Sequence, residues 1–442
     1  MTEARCESIA QDLGFTNQDE EFWWRATAPS LGELLASCEY SAEEQLGHLR
    51  WYHRFIIAAL GPRPIAGKKP LFQPCPVFDG SACELSINFK ERSQSRTIRF
   101  TIEATGYEAG TPTDPFNQEA SKLLLRDMAS QVANLDLHHF DIFVNDFFLP
   151  AGTAESVVKR LPPDTPLSQV WLAFDLFRGG KIMAKVYFMP ILQWVHSGAP
   201  TTKYLVFATA RKCNGEYGTY DAAIDLLDDY LESFPAGQGP TVEMVAIDCL
   251  DSPDSRIKMY LRTGANTLAR AKDLMTLGGR LSGKEYVQAG LAALAELWPL
   301  LFRLGPDDDI ENFEVFPPGS YCGCAVETKP GHALPETKLH IPVRKIQGTD
   351  AQICDSLAVW FKRRGHAEFA AAYQADLETA FPRHNLHAES GTHTFISFSY
   401  TQRTGVYMTM YYSTKIFGAH VKEDIWEGYD NMWKAKRQTL SG

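Results

Sequence analysis

Along this 442-residue chain, short stretches in which apolar and polar residues alternate come in pairs. Alternation with a period of two marks a strand whose two faces meet different surroundings. The pairs are residues 83–89 with 96–105, 171–177 with 181–190, 242–250 with 255–263, 322–328 with 337–343, and 392–400 with 405–413. Turn formers sit between partners, as in Arg178-Gly179-Gly180 and Asp251-Ser252-Pro253-Asp254, so each pair reads as a hairpin.

Helical periodicity fills the intervals. Ser41 and Glu44 form a capping box ahead of Leu46, Leu49, Phe55 and Ile56, and Gly61-Pro62 stops that helix. Ile224, Leu227, Leu231 and Phe234 make an apolar stripe ending at Pro235. Further helices are predicted near 118–132, 267–277, 284–304 and 351–381. The unit helix–hairpin–helix thus recurs five times, at a spacing of roughly 70–85 residues. Ten such strands predict a closed antiparallel barrel, an α+β fold with helices outside and the polar strand faces lining the lumen. One domain is expected over 21–442, with residues 1–20 loosely attached.

Composition narrows the setting. A hydrophobic share of 45% and a charged share of 22% belong to a soluble globular protein. The net charge of -11 argues against nucleic acid and anionic membrane as partners. The nine cysteines are scattered without a disulfide or zinc spacing, which points to a reducing compartment. The N-terminus lacks a signal-peptide pattern, and no apolar run approaches the ~20 residues of a membrane span. A cytoplasmic protein, monomer or homodimer, is the expectation.

Against that acidic background the polar strand faces stand out. Arg256, Lys258 and Tyr260 share one face, as do Lys185, Tyr187 and Met189, then Lys338 and His340, then Tyr407, Thr409 and Tyr411. One such face alone reads as a solvated outer surface. Four of the same polarity read as a lumen able to cradle a polyanion whose departure leaves a carbocation.

Motifs in a fixed order then carry a resemblance. They are Ala59-Leu60-Gly61-Pro62, Glu84-Leu85-Ser86-Ile87-Asn88-Phe89, Arg99-Phe100 with Glu103, and Gly110-Thr111 with Asp114-Pro115-Phe116-Asn117. Lys185-x-Tyr187, Arg256-x-Lys258-x-Tyr260, Thr276-Leu277-Gly278-Gly279-Arg280-Leu281, Lys338-x-x-Ile341-Pro342-Val343 and Gly405-Val406-Tyr407-Met408 follow. From Phe22-Trp23-Trp24 to Tyr411-Tyr412 the chain resembles the fungal aromatic prenyltransferases of the dimethylallyltryptophan synthase type, with their αββα (ABBA) barrel.

The resemblance implies transfer of a dimethylallyl group from dimethylallyl diphosphate to an electron-rich ring, usually an indole, with no metal or other cofactor. It implies that Arg99, Lys185, Arg256, Lys258 and Lys338 hold the diphosphate, doing the electrostatic work of Mg²⁺. Tyr187, Tyr260, Tyr407 and Tyr411 are implied to shield the cation, and Glu84 to accept the indole N–H. Met189 and His340 stand where the family often has aromatic residues and are expected to line the pocket, His340 neutral or turned toward the phosphate. Residues 171–177 lack the lysine some tryptophan-specific members use for proton removal, which argues against prenylation at C4 of free tryptophan.

Other motifs read as structural. Gly278-Gly279-Arg280-Leu281-Ser282-Gly283-Lys284 is followed by Glu285, not Ser or Thr, so it reads as an interhelical turn rather than a P-loop. Asp307-Asp308-Asp309 follows Gly305-Pro306 and reads as a solvated loop, and His138-His139 and Cys322-Gly323-Cys324 read as structural. The first functional expectation is prenylation of tryptophan or a tryptophan-containing cyclic dipeptide. The second keeps the donor and takes tyrosine, another phenol or a polyketide; the third is an isoprenoid-binding barrel without chemistry.

Overall fold

The computed structural model describes residues 2–416, apart from 66–67, 133, 162–164, 318–319 and 347. Its sheet contains β1 (Cys83–Lys90), β2 (Ile98–Ile102), β3 (Val170–Leu176), β4 (Ile182–Phe188), β5 (Thr241–Asp248), β6 (Ile257–Ala265), β7 (Cys322–Thr328), β8 (Glu336–Ile341), β9 (His393–Thr401) and β10 (Gly405–Ser413). Neighbours in sequence pair antiparallel, and β1 pairs with β10, so the sheet closes into a barrel. All ten predicted strands are present, with ends shifted by up to a few residues in either direction.

The core lies between barrel and helices rather than inside the barrel. Leu85, Ile87 and Phe89 of β1, Leu172 and Phe174 of β3, Met259 and Leu261 of β6, and Val406, Met408 and Met410 of β10 face outward and are buried. Helices cover them, and Trp23, Trp24, Trp298 and Trp360 are buried in that outer layer. The alternating positions point into the lumen and carry the polar set.

Two helical expectations are corrected. The first residues, expected to be loosely attached, form the helix Thr2–Leu13, whose Cys6, Ile9 and Ala10 are buried in the main core. The stretch 351–381 is two helices, Asp350–Arg363 and Ala367–Ala380, because Gly365 takes φ 82° and breaks the run. The capping box of Ser41 and Glu44 forms as expected, and 277–281 is the turn between two helices.

Each strand has a turn end, where hairpins close, and a crossover end, where helices begin. The turn ends gather Arg99, Asp175, Asp248, Arg256, Glu327, Lys338 and Tyr407; the crossover ends gather Glu84, Trp171, His340 and Tyr411. A bulge in β5 between Val242 and Met244 turns both Glu243 and Met244 toward the cavity there.

Gly61 stops its helix at φ 69°, and a Cβ there would lie 2.4 Å from the Thr105 carbonyl oxygen. Gly179, in the β3–β4 turn, has φ 73° with nothing within 4 Å. Gly179→Ala is expected to cost only the left-handed backbone strain of about 1–2 kcal/mol. Gly61→Ala is expected to cost clearly more, because the backbone must also move; urea unfolding of the two variants checks the difference.

Candidate active site

The turn-end layer of the lumen is ionic. Asp175 lies 3.1 Å from Arg99 and accepts a hydrogen bond from Lys185. Asp248 accepts from Arg256 Nε and Lys258 Nζ, both at 2.7 Å. Glu327 lies 3.2 Å from Arg256 and accepts from Lys338. Lys338 and Arg99 in turn flank the Tyr407 ring, at 5.1 and 5.6 Å from its centre. The five expected cations therefore converge, in a layer that also holds three carboxylates.

Electrostatics follow from burial and pairing. Burial pushes Asp175 up, but Arg99 and Lys185 outweigh it and hold the carboxyl below its ordinary range. Asp248 and Glu327 are lowered likewise, their burial overcome by Lys258 and Arg256, and by Lys338 and Arg256. Lys185 falls to about 8, because burial and the charges of Arg99 and Lys258 outweigh Asp175. Burial pushes the Tyr407 phenol up, yet Arg99 and Lys338 bring it to about 7.

Next along the axis comes an aromatic collar. Ring centres of Tyr187 and Tyr260 are 5.7 Å apart, those of Tyr260 and His340 5.5 Å, and those of His340 and Tyr411 6.1 Å. Tyr407, expected in the same shield, sits lower, among the cations. His340 takes the fourth place, and burial together with Lys338 lowers its pKa to about 3, so the ring is neutral.

Beyond the collar a cavity of about 1050 Å³, counting its open mouth, reaches the crossover end. Glu84, Trp171, Met189, Met244, His340 and Phe395 are among its walls. Glu84 receives a 2.6 Å hydrogen bond from the Thr394 hydroxyl, and burial raises its pKa to about 8. Trp171 is fixed from behind: its Nε1 donates to Ser168 Oγ at 2.9 Å, and Ser168 donates to Glu103 at 2.6 Å. Burial lifts Glu103 to about 7, and the Cys75 N–H also donates to it, at 2.9 Å.

The sequence reading named five cations of this layer and missed Lys90 at the turn end of β1, the three carboxylates and Trp171. A signal existed: Asp248 precedes Arg256 across the β5–β6 turn, and Glu327 opposes Lys258 on the neighbouring strand. Outside the barrel, Asp309 is held in a local turn by Asn312.

Known proteins place this arrangement. The family model described as tryptophan dimethylallyltransferase matches residues 19–376. The chain belongs to that family. The prenyltransferase iacE of Pestalotiopsis fici is 38% identical over 407 residues, spanning 90% of this chain and 92% of that protein. The 7-dimethylallyltryptophan synthase of Aspergillus fumigatus is 35% identical over 411 residues, spanning 90% and 85%. Among solved structures, NotF in complex with brevianamide F and DMSPP superposes with a TM-score of 0.79 at 26% identity, covering 92% of this chain and 98% of that one. The fold is accordingly the ABBA prenyltransferase barrel, and the protein is an aromatic prenyltransferase.

The raised pKa of Glu84 has a stability consequence. A carboxyl that keeps its proton when folded contributes stability below its unfolded pKa, and that contribution is lost as pH rises through about 8. Glu84→Gln cannot ionise, so its unfolding free energy is expected to fall less than the wild type's between pH 5 and 8.5. Urea titrations at the two pH values check this.

Proposed function

We propose that the protein transfers a dimethylallyl group from dimethylallyl diphosphate to the indole ring of tryptophan or of a tryptophan-containing cyclic dipeptide, without a metal. The observation that carries the reading is the stacking along one axis of an ionic layer, an aromatic collar and a cavity with a buried carboxyl. A donor laid along that axis puts its diphosphate among Arg99, Lys185, Arg256, Lys258 and Lys338. Its allylic carbon then falls within the collar. The occupants of NotF, brevianamide F and DMSPP, make a chemically similar pair.

The steps follow from the layers. The allylic C–O bond breaks and its electron pair leaves with the diphosphate, where the cations stabilise the charge that develops. The allyl cation left behind meets the ring faces of Tyr187, Tyr260 and Tyr411, each worth on the order of 2 kcal/mol when desolvated. His340, being neutral, adds a ring without adding a repelling charge. The collar also keeps water from capturing the cation. An indole carbon attacks, a C–C bond forms, and the ring recovers aromaticity by giving its proton to the departed diphosphate.

Glu84 orients the acceptor by accepting its N–H. That task needs the carboxylate, so acceptor binding and the ionisation of Glu84 are linked. The N–H bond favours the charged form and pulls the pKa down on binding. Met189 and the Trp171 ring, braced by Ser168 and Glu103, would shape the wall against which the acceptor lies. A phenol is the second acceptor class, since Glu84 accepts an O–H as well as an N–H. Among the described residues none of the nine cysteines forms a disulfide, which fits a cytoplasmic setting.

An incubation of dimethylallyl diphosphate with tryptophan, tyrosine and tryptophan cyclic dipeptides in excess EDTA tests the reading by product mass. A gain of one C5H8 on an indole is expected, and addition only to a phenol would replace the first acceptor by the second. Glu84→Gln is expected to lower kcat/KM for the indole acceptor about 10²–10⁴-fold, with donor binding retained. Tyr260→Ala is expected to raise the yield of dimethylallyl alcohol relative to prenylated product, as read by chromatography.

A further inference from the structure

We infer that Asp175, Asp248 and Glu327 are positioning residues of the donor site, each tying two lumen cations together so that all five stay charged and fixed before the diphosphate arrives. The inference rests on the donor-site reading proposed above.

Three buried carboxylates in an anion-binding layer look at first like opponents of the ligand. Their geometry says otherwise. Asp175 on β3 joins Arg99 of β2 to Lys185 of β4, and Glu327 on β7 joins Arg256, just ahead of β6, to Lys338 of β8. Asp248 joins Arg256 to Lys258 and is itself the register partner of Lys185. Tyr407 lies between Lys338 and Arg99 and closes the circuit.

Five cations against three carboxylates leave a surplus of two positive charges while Tyr407 keeps its proton; Lys90, the register partner of Tyr407 on β1, interacts with Arg99 and Asp175 and offsets the phenolate when Tyr407 ionises. Without the carboxylates, five desolvated cations would repel one another, and the lysines would relieve the strain by losing protons. Lys185 is the exposed point of this balance. It faces Asp175, Asp248, Arg99 and Lys258, with Tyr407 nearby, and it already holds its proton less firmly than an ordinary lysine.

The two views of the carboxylates predict opposite results for charge removal. As opponents, their neutralisation tightens donor binding at every pH. As positioning residues, their neutralisation weakens it, most at high pH where Lys185 deprotonates. Losing an adjacent opposite charge lowers a lysine's pKa by about 1–3, and each whole step in pKa is about tenfold in the charged fraction above it.

The test is calorimetric binding of dimethylallyl thiolodiphosphate to the full chain from pH 6 to 9, for wild type, Asp175→Asn, Asp175→Glu and Glu327→Gln. Asp175→Asn is expected to bind about tenfold or more weakly at pH 8.5, with the gap narrowing toward pH 6. Asp175→Glu is expected to restore most of the affinity, and Glu327→Gln to weaken binding throughout. If Asp175→Asn fails to fold, Glu327→Gln decides alone. Binding by the variants as tight as or tighter than wild type overturns the inference, as does a loss in Asp175→Asn that is flat with pH and not recovered by glutamate. If wild type itself does not bind the analogue, the donor-site reading falls and this inference with it. Wild-type binding with unaffected variants leaves the donor site standing and removes only the positioning role.

Discussion

A charge taken out of water is tolerated only beside a partner, and this constraint organises the lumen. The closed sheet leaves no edge through which its inward-facing cations could reach solvent sideways. Arg99, Lys185, Arg256, Lys258 and Lys338 are therefore compatible with the fold because Asp175, Asp248 and Glu327 stand among them. The reversed polarity of the barrel follows from the same balance. Its greasy faces turn outward to the helices, and its interior holds the paired charges and the cavity.

The order of the layers matters as much as their contents. An ionising allylic diphosphate separates opposite charges across a short distance, and the lumen offers unlike surroundings at the two ends of that distance. Formal charges lie on one side and polarisable ring faces on the other. His340 shows how fine the distinction is. Its place beside Lys338 and its burial strip it of a proton, so a residue that titrates near neutrality in water behaves in the collar as one more aromatic ring.

Much of the architecture was legible in the chain because strands with two unlike faces announce themselves by period. All five hairpins were readable from alternation and turn residues, and Arg256, Lys258 and Tyr260 pointed to the lumen once three further strand faces of the same polarity stood beside theirs. The helix Thr2–Leu13 escaped because its buried side is only Thr2, Cys6, Ile9 and Ala10, which make a faint apolar stripe. Asp175, Asp248 and Glu327 escaped for a different reason. A carboxylate on a strand face reads as solvated until its cross-strand neighbours are known, and those pairings depend on register. Tyr407 shared its strand face with Tyr411, yet the two ended in different layers, because position along a strand sets depth in the barrel while parity sets only the face.

The turn ends of the strands carry the ionic layer, and the crossover ends carry walls of the cavity. Substitutions where Pro76 and Ile191 of the crossovers and Phe395 of β9 meet the cavity would reshape its mouth without touching the ionic layer. The fold thus resembles an interchangeable nozzle on a fixed pump: one rim can be edited while the charged end stays as it is.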